Sequence, residues 1–199
     1  MPDPRVPGEP DEIIELPCGE EIHAHDLDLG VREFECACGA SHAVVMDVHP
    51  LGRFVPEFLV ETLRETIRTE DEFEEFSTAH ALAMVREEYP EQVASADLSG
   101  DGTVGYALVW VTEFDSRELH RIVVELLVEL MEHAISHADA GPTVEEFERK
   151  MAEFDVEGFV DAYREQRDFE ADQPAVAAQT TTSGQTAVSC SSSKSRCSR

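Results

Sequence analysis

The chain has 199 residues, 42% of them hydrophobic, with 43 acidic against 15 basic side chains and a net charge of −28. Hydrophobic residues in that proportion, recurring periodically, argue against a body that is disordered throughout, a state that couples high charge to low hydrophobicity. With no basic patch to release phosphate counterions, direct non-specific binding to nucleic acid is not expected. No stretch has the apolar length of a membrane span, because even "IVVELLVELMEHAI" is broken by Glu125, Glu129 and Glu132.

Lysine occurs only as Lys150 and Lys194. Acidic charge at this density repels itself in dilute buffer, whereas a Debye length of roughly 3 Å at 1 M salt screens it. The composition therefore predicts a halophilic, salt-adapted protein of a salt-rich cytoplasm. "MPDPRVPGEPDE" lacks the basic start and apolar run of a signal peptide, so residues 1–12 are expected to be a flexible lead-in. In a cytoplasmic setting the five cysteines are expected to be thiols or metal ligands rather than disulfides.

Residues 13–50 are β-rich in pattern, with "GVREFECACG" and "HAVVMDVHP" as short strands. Residues 51–170 form an expected helix-rich body. "PEFLVETLRETIR" starts at Pro56 and spaces Phe58, Leu59, Leu63 and Ile67 helically, and "TEDEFEEFSTAHALAMVREEY" is a second helix, ended by Pro90. "VASADLSGDGTVGYALVWVT" is expected to be a hairpin turning at "SGDG". "DSRELHRIVVELLVELMEHAISHADAG" has the strongest helical signal, with Asp115 or Ser116 to cap it and Gly141–Pro142 to stop it, and "TVEE" opens a further helix at Thr143. Residues 171–199 hold one acid and three bases and are rich in Ser, Thr and Ala, which predicts a disordered tail containing Cys190 and Cys197. The whole order predicts an α+β fold: a small N-terminal zinc-ribbon-like β element, then a helical body with an inserted β-hairpin. No internal repeat is apparent in the sequence.

Two clusters carry candidate chemistry. "LPCGE" supplies Cys18, and "CACGASH" supplies Cys36, Cys38 and His42; each Cys-Gly pair resembles a zinc knuckle, in which glycine lets backbone N–H groups turn toward thiolate sulfur. Three thiolates and an imidazole make a closed Cys3His set of the structural kind, so zinc is the expected cofactor, with His23 and His25 as alternate ligands. Against this stand the C-x-C spacing, where knuckles use C-x2-C, and the alternative that these are reduced thiols buried in a hairpin. Thiol redox chemistry is a further alternative, disfavoured because no positive charge lies nearby to lower a thiol pKa. His49, before Pro50, reads as a strand-end residue.

The weaker cluster is Glu129, His133 and His137, spaced i, i+4, i+8 on the long helix, with both imidazoles expected on its apolar side. An H-x3-H pair can chelate a metal, and the glutamate could be a third ligand or a base. Ala134 follows His133, however, so the H-E-x-x-H pattern fails, and histidines in a last turn equally suit the helix dipole. "DLSGDG" mimics a calcium loop, but Leu108 replaces the bidentate glutamate of the twelfth position, so calcium is not expected.

At "VREFECACGASHAVVMDVHPLGRFVPEFLVETLRE" and "VGYALVWVTEFDSRELHRIVVELLVELMEHAISHAD" the chain resembles an uncharacterised haloarchaeal family known as a domain of unknown function, over roughly residues 5–170. The resemblance implies no activity and no functional residues. Two readings remain open: a zinc-stabilised binding or regulatory module offering a protein partner its helical surface, and a metal-dependent enzyme using Glu129, His133 and His137. The first uses the stronger motif and is preferred, so catalysis is not the expected role.

Overall fold

A computed structural model describes residues 13–27, 32–70, 75–98, 108–137, 145 and 149–167. The strands alternate so that each face of one sheet is buried against a different partner. Strand β1 (Ile13–Glu15) pairs antiparallel with β2 (Glu21–His23), Ile14 opposite Ile22. Strands β3 (Glu33–Glu35), β4 (Ser41–Met46), β5 (Val93–Asp97) and β6 (Leu108–Thr112) form an antiparallel sheet in the order β3-β4-β6-β5. The period of two puts Val44 and Met46 on one face with Val109 and Val111, facing Ile14, Leu16 and Ile22 of the two-stranded hairpin. Ala43, Val45 and Trp110 point the other way, into the core built with the helices. Burial on both faces is why "AVVM" reads as an unbroken apolar run rather than an alternating one.

Helix α1 (Glu57–Thr66) starts after Pro56, and α3 (Ser116–Ser136) is capped by Asp115, whose carboxylate accepts from the Glu118 N–H at 2.8 Å. α2 (Thr78–Glu88) and α4 (Val156–Arg167) flank α3, which contributes Leu119, Ile122, Val123, Val124 and Leu127 to the core. The fold is mixed helix and strand, as expected, but three details differ.

The hairpin β5–β6 comes between α2 and α3 in the chain, as expected, but it does not stand apart within the helical body. Its β6 pairs with β4, Val44 opposite Val111, so the N-terminal strands and the hairpin share one sheet. Helix α2 is shorter than its acidic lead suggests, because Ser77 takes the N-cap: His80 Nδ1 accepts the Ser77 N–H at 3.0 Å and holds the start there. Leu63 is buried as expected, but Phe58, expected on the same face of α1, is 64% exposed and Val60 is buried in its place. The "SGDG" turn, the Gly141–Pro142 stop, the Thr143 cap, residues 1–12 and the tail with Cys190 and Cys197 lie outside the described residues. No described helix is long and apolar enough to cross a membrane.

Candidate metal centre

Two tight turns deliver the cysteines. In the first, the Leu16 N–H donates to the Glu20 carbonyl at 2.8 Å and the Gly19 N–H to the Leu16 carbonyl at 2.9 Å. In the second, the Cys36 N–H donates to Ala40 at 3.0 Å and the Gly39 N–H to Cys36 at 2.9 Å. Both closures require a residue in the left-handed region, and both use glycine, with φ of 83° at Gly19 and 90° at Gly39. Cys18 and Cys38 occupy the same place in the two turns, immediately before that glycine. The hairpins β1–β2 and β3–β4 are thus one motif used twice, a repeat hidden in the sequence because only "CG" and the strand positions are shared.

The two copies meet. Cys18, Cys36, Cys38 and His42 place one ligand atom each within 4.8 Å of one another, close enough to bind a metal ion. Cys18 Sγ lies 3.7 Å from Cys36 Sγ, and Cys38 Sγ lies 3.6 Å from His42 Nε2. Zinc bonds of about 2.3 Å to sulfur and about 2.0–2.1 Å to nitrogen, set at tetrahedral angles, give edges of about 3.8 Å and about 3.6 Å. Two of the six ligand-to-ligand edges, Cys18–Cys36 and Cys38–His42, match these lengths, and the others lie within 4.8 Å.

Orientation supports the same fit. His42 is fully buried, and its Nδ1–H donates to the Thr112 carbonyl at 2.8 Å, so the proton sits on Nδ1 and the Nε2 lone pair faces the thiols. The Ala40 N–H points at Cys38 Sγ from 3.4 Å, the amide-to-sulfur contact expected of a knuckle. Cys36 and His42 form the buried half of the group, and Cys18 and Cys38 its exposed rim.

The thiols are electrostatically unequal. The Ala40 N–H, His42 and Cys36 favour the Cys38 thiolate and lower its pKa to about 7. At Cys36 the Cys38 backbone N–H also favours the thiolate, yet burial and the neighbouring thiols of Cys38 and Cys18 raise the pKa to about 11. One negative charge is welcome in the cluster and a second is resisted. A divalent cation removes that resistance, since a coordinating thiol is deprotonated outright.

The other candidates stay outside the group. His23 is exposed on β2, and the His25 side chain lies outside the described residues. His49 is buried at the end of β4 and accepts the Met46 N–H on Nδ1 at 3.2 Å, a strand-end role. Glu129, His133 and His137 are all exposed, not on the apolar side of the helix. The last buried residue of α3 is Met131, so its final turn outruns the elements that cover it, and a direction that is apolar at Ile122 is solvent at His133. The two imidazoles stack edge to face with centroids 4.7 Å apart. Among the described residues, the Cys3His group alone brings three or more such side chains together. Thr112 had no signal in the sequence: a backbone carbonyl 70 residues from His42 becomes its partner only through the β4–β6 pairing.

The model of a family of unknown function, DUF5815, matches residues 14–167. The chain belongs to that family. The DUF5815 match runs from β1 to the last residue of α4, so it takes in both turns, the four ligand candidates and the whole sheet. Neither a curated protein nor a solved structure shows significant similarity to this DUF5815 chain.

Proposed function

We propose that this protein is a binding or regulatory module whose N-terminal zinc-ribbon-like element is clamped by one zinc ion held by Cys18, Cys36, Cys38 and His42. The observation that carries the reading is the convergence of four ligand atoms within 4.8 Å of one another, two edges of it at 3.7 Å and 3.6 Å, with His42 oriented by Thr112. Four protein ligands complete the shell of a structural zinc and leave no open position for a substrate or an activated water. The exposure of Glu129, His133 and His137 removes the support that a cleft would have lent to the enzyme reading. Zinc here is a staple: it joins the hairpin β1–β2 to the sheet beside the apolar contact of Ile14, Leu16 and Ile22 with Val44, Met46, Val109 and Val111. The acidic surface fits a protein that works in concentrated salt.

The test is elemental analysis of protein purified reduced and without chelator. About one zinc per chain is expected for the wild type and a loss of it for Cys36→Ala. Wild-type protein that holds no transition metal, and takes up none when zinc is added, would sink the reading.

A further inference from the structure

The sulfurs of the metal group are placed for a second reaction. Cys18 and Cys38 are exposed and Cys36 is buried, so two of the three thiols meet solvent. The sequence disfavours thiol chemistry for want of a nearby positive charge. A divalent ion held by the four ligands is that charge, and it keeps each sulfur as the thiolate, the form that attacks an oxidant. A net charge of −28 repels anionic oxidants from the rim and leaves it open to small neutral ones, of which hydrogen peroxide is the simplest.

The two exposed sulfurs differ in their neighbours. Cys38 Sγ is engaged beside its own turn: the Ala40 N–H donates to it at 3.4 Å, and His42 Nε2 lies 3.6 Å away. A hydrogen bond to a thiolate draws off the charge with which it attacks. Cys18 Sγ lies 3.7 Å from the sulfur of Cys36, which belongs to the other hairpin. A disulfide bond of about 2.05 Å requires these sulfurs to close by about 1.7 Å, a movement within the reach of side-chain rotation.

We propose that Cys18 is attacked by peroxide and resolved by Cys36, so that oxidation exchanges the zinc staple for a Cys18–Cys36 disulfide. This regulation rests on the zinc reading above. The Cys18 thiolate attacks one peroxide oxygen, the O–O bond breaks, and a sulfenic acid forms as hydroxide leaves. The Cys36 thiolate then attacks the Cys18 sulfur, the S–O bond breaks, and a second hydroxide leaves. In sum, two thiolates, one peroxide and two protons become one disulfide and two waters; the sulfurs give up two electrons and the peroxide takes them. Cys38 and His42 remain as two ligands, too few for a closed zinc shell, and the ion is released. The disulfide spans the same two turns, so the β1–β2 hairpin stays attached to the sheet in both states.

The test uses the full-length, zinc-loaded protein carrying Cys190→Ser and Cys197→Ser, in which Cys18, Cys36 and Cys38 are the only thiols. Hydrogen peroxide is added stepwise at constant KCl, released zinc is read with a chromogenic chelator, and the disulfide is located by mass spectrometry of an unreduced digest. One zinc released per peroxide consumed, a Cys18–Cys36 bond, and zinc uptake again after dithiothreitol are expected. The oxidised form should also melt above the reduced, metal-free protein, and a melt at or below it overturns the retained attachment. Zinc kept through several equivalents of peroxide overturns the proposal and leaves the zinc reading in place. So does zinc lost with Cys38 in the bond, or with sulfinic acid and no disulfide. Protein that holds no zinc before peroxide is added overturns both.

Discussion

Replacing His120 by glutamine should flatten the acid side of the stability profile. His120 is 2% exposed; its Nε2–H donates to the Phe54 carbonyl at 2.6 Å, and its ring lies edge-on to Phe54 and Tyr163. Burial is the main cause that lowers its pKa from 6.5 to about 4, against the pull of the Phe54 carbonyl and with Arg164 adding to the shift. The unfolded chain therefore takes up this proton near pH 6.5, and the native protein only near pH 4. Between those values the unfolded state binds more protons, so stability is lost as the pH falls through that window and no more is lost below it. At about 1.36 kcal/mol per pKa unit, the loss is about 3 kcal/mol in all. Glutamine keeps an amide N–H for the Phe54 carbonyl and cannot take the proton. Urea unfolding at fixed KCl, at pH 7.5 and pH 4.5, should show the wild type losing about 2–3 kcal/mol more than His120→Gln across the interval. Carboxylate titration is common to both proteins and cancels in the difference. Equal losses, or an imidazole resonance of His120 that titrates near 6.5 in the folded protein, would refute the reasoning.

Gly39→Ala should destabilise by about 1–2 kcal/mol through backbone strain alone, since φ is 90° and an added Cβ meets nothing within 4 Å; a urea melt measures it, and no loss would mean that the turn relaxes freely. Tyr163→Phe should cost about 1–3 kcal/mol, because the single hydroxyl proton is shared between the carbonyls of Gly52 at 2.7 Å and Val55 at 3.0 Å and its loss leaves both without it; a loss under a few tenths would show that water replaces it. Leu82→Ala, at a fully buried position of α2, should cost about 2–5 kcal/mol by the same assay. The melting temperature should rise steadily from dilute buffer to several molar KCl as the −28 net charge is screened, and a flat profile by circular dichroism would contradict the salt-adapted surface.

The grouping of Cys18, Cys36, Cys38 and His42 was legible because these residue types are rare in the chain and the Cys-Gly pairs carry a backbone meaning, the positive φ that Gly19 and Gly39 adopt. The α3 start was legible because Asp115 is a strong cap at the head of a long apolar period. What stayed hidden depends on tertiary contact. Strands β1 and β2 are three residues each, too short for alternation to register, so the repeated hairpin shows only in its hydrogen bonds. The exposure of His133 and His137 reflects where α3 loses its cover, which helical periodicity cannot locate.

The bond from His42 to Thr112 limits how far the cysteine element can be treated as a transferable part. Residues 13–50 contain every proposed ligand, which invites excision of that stretch as a minimal metal-binding peptide. The carbonyl that selects the imidazole tautomer lies on β6, however, and the apolar floor of the element includes Val109 and Val111 of the same strand. A graft of 13–50 onto another scaffold would carry the donors without the strand that aims them, leaving both ring nitrogens open to the metal and Val44 and Met46 without their partners. The smallest portable unit is discontinuous: it needs β6 as well, and hence β5, the residues that join them and a helical layer to bury Trp110 on the far face.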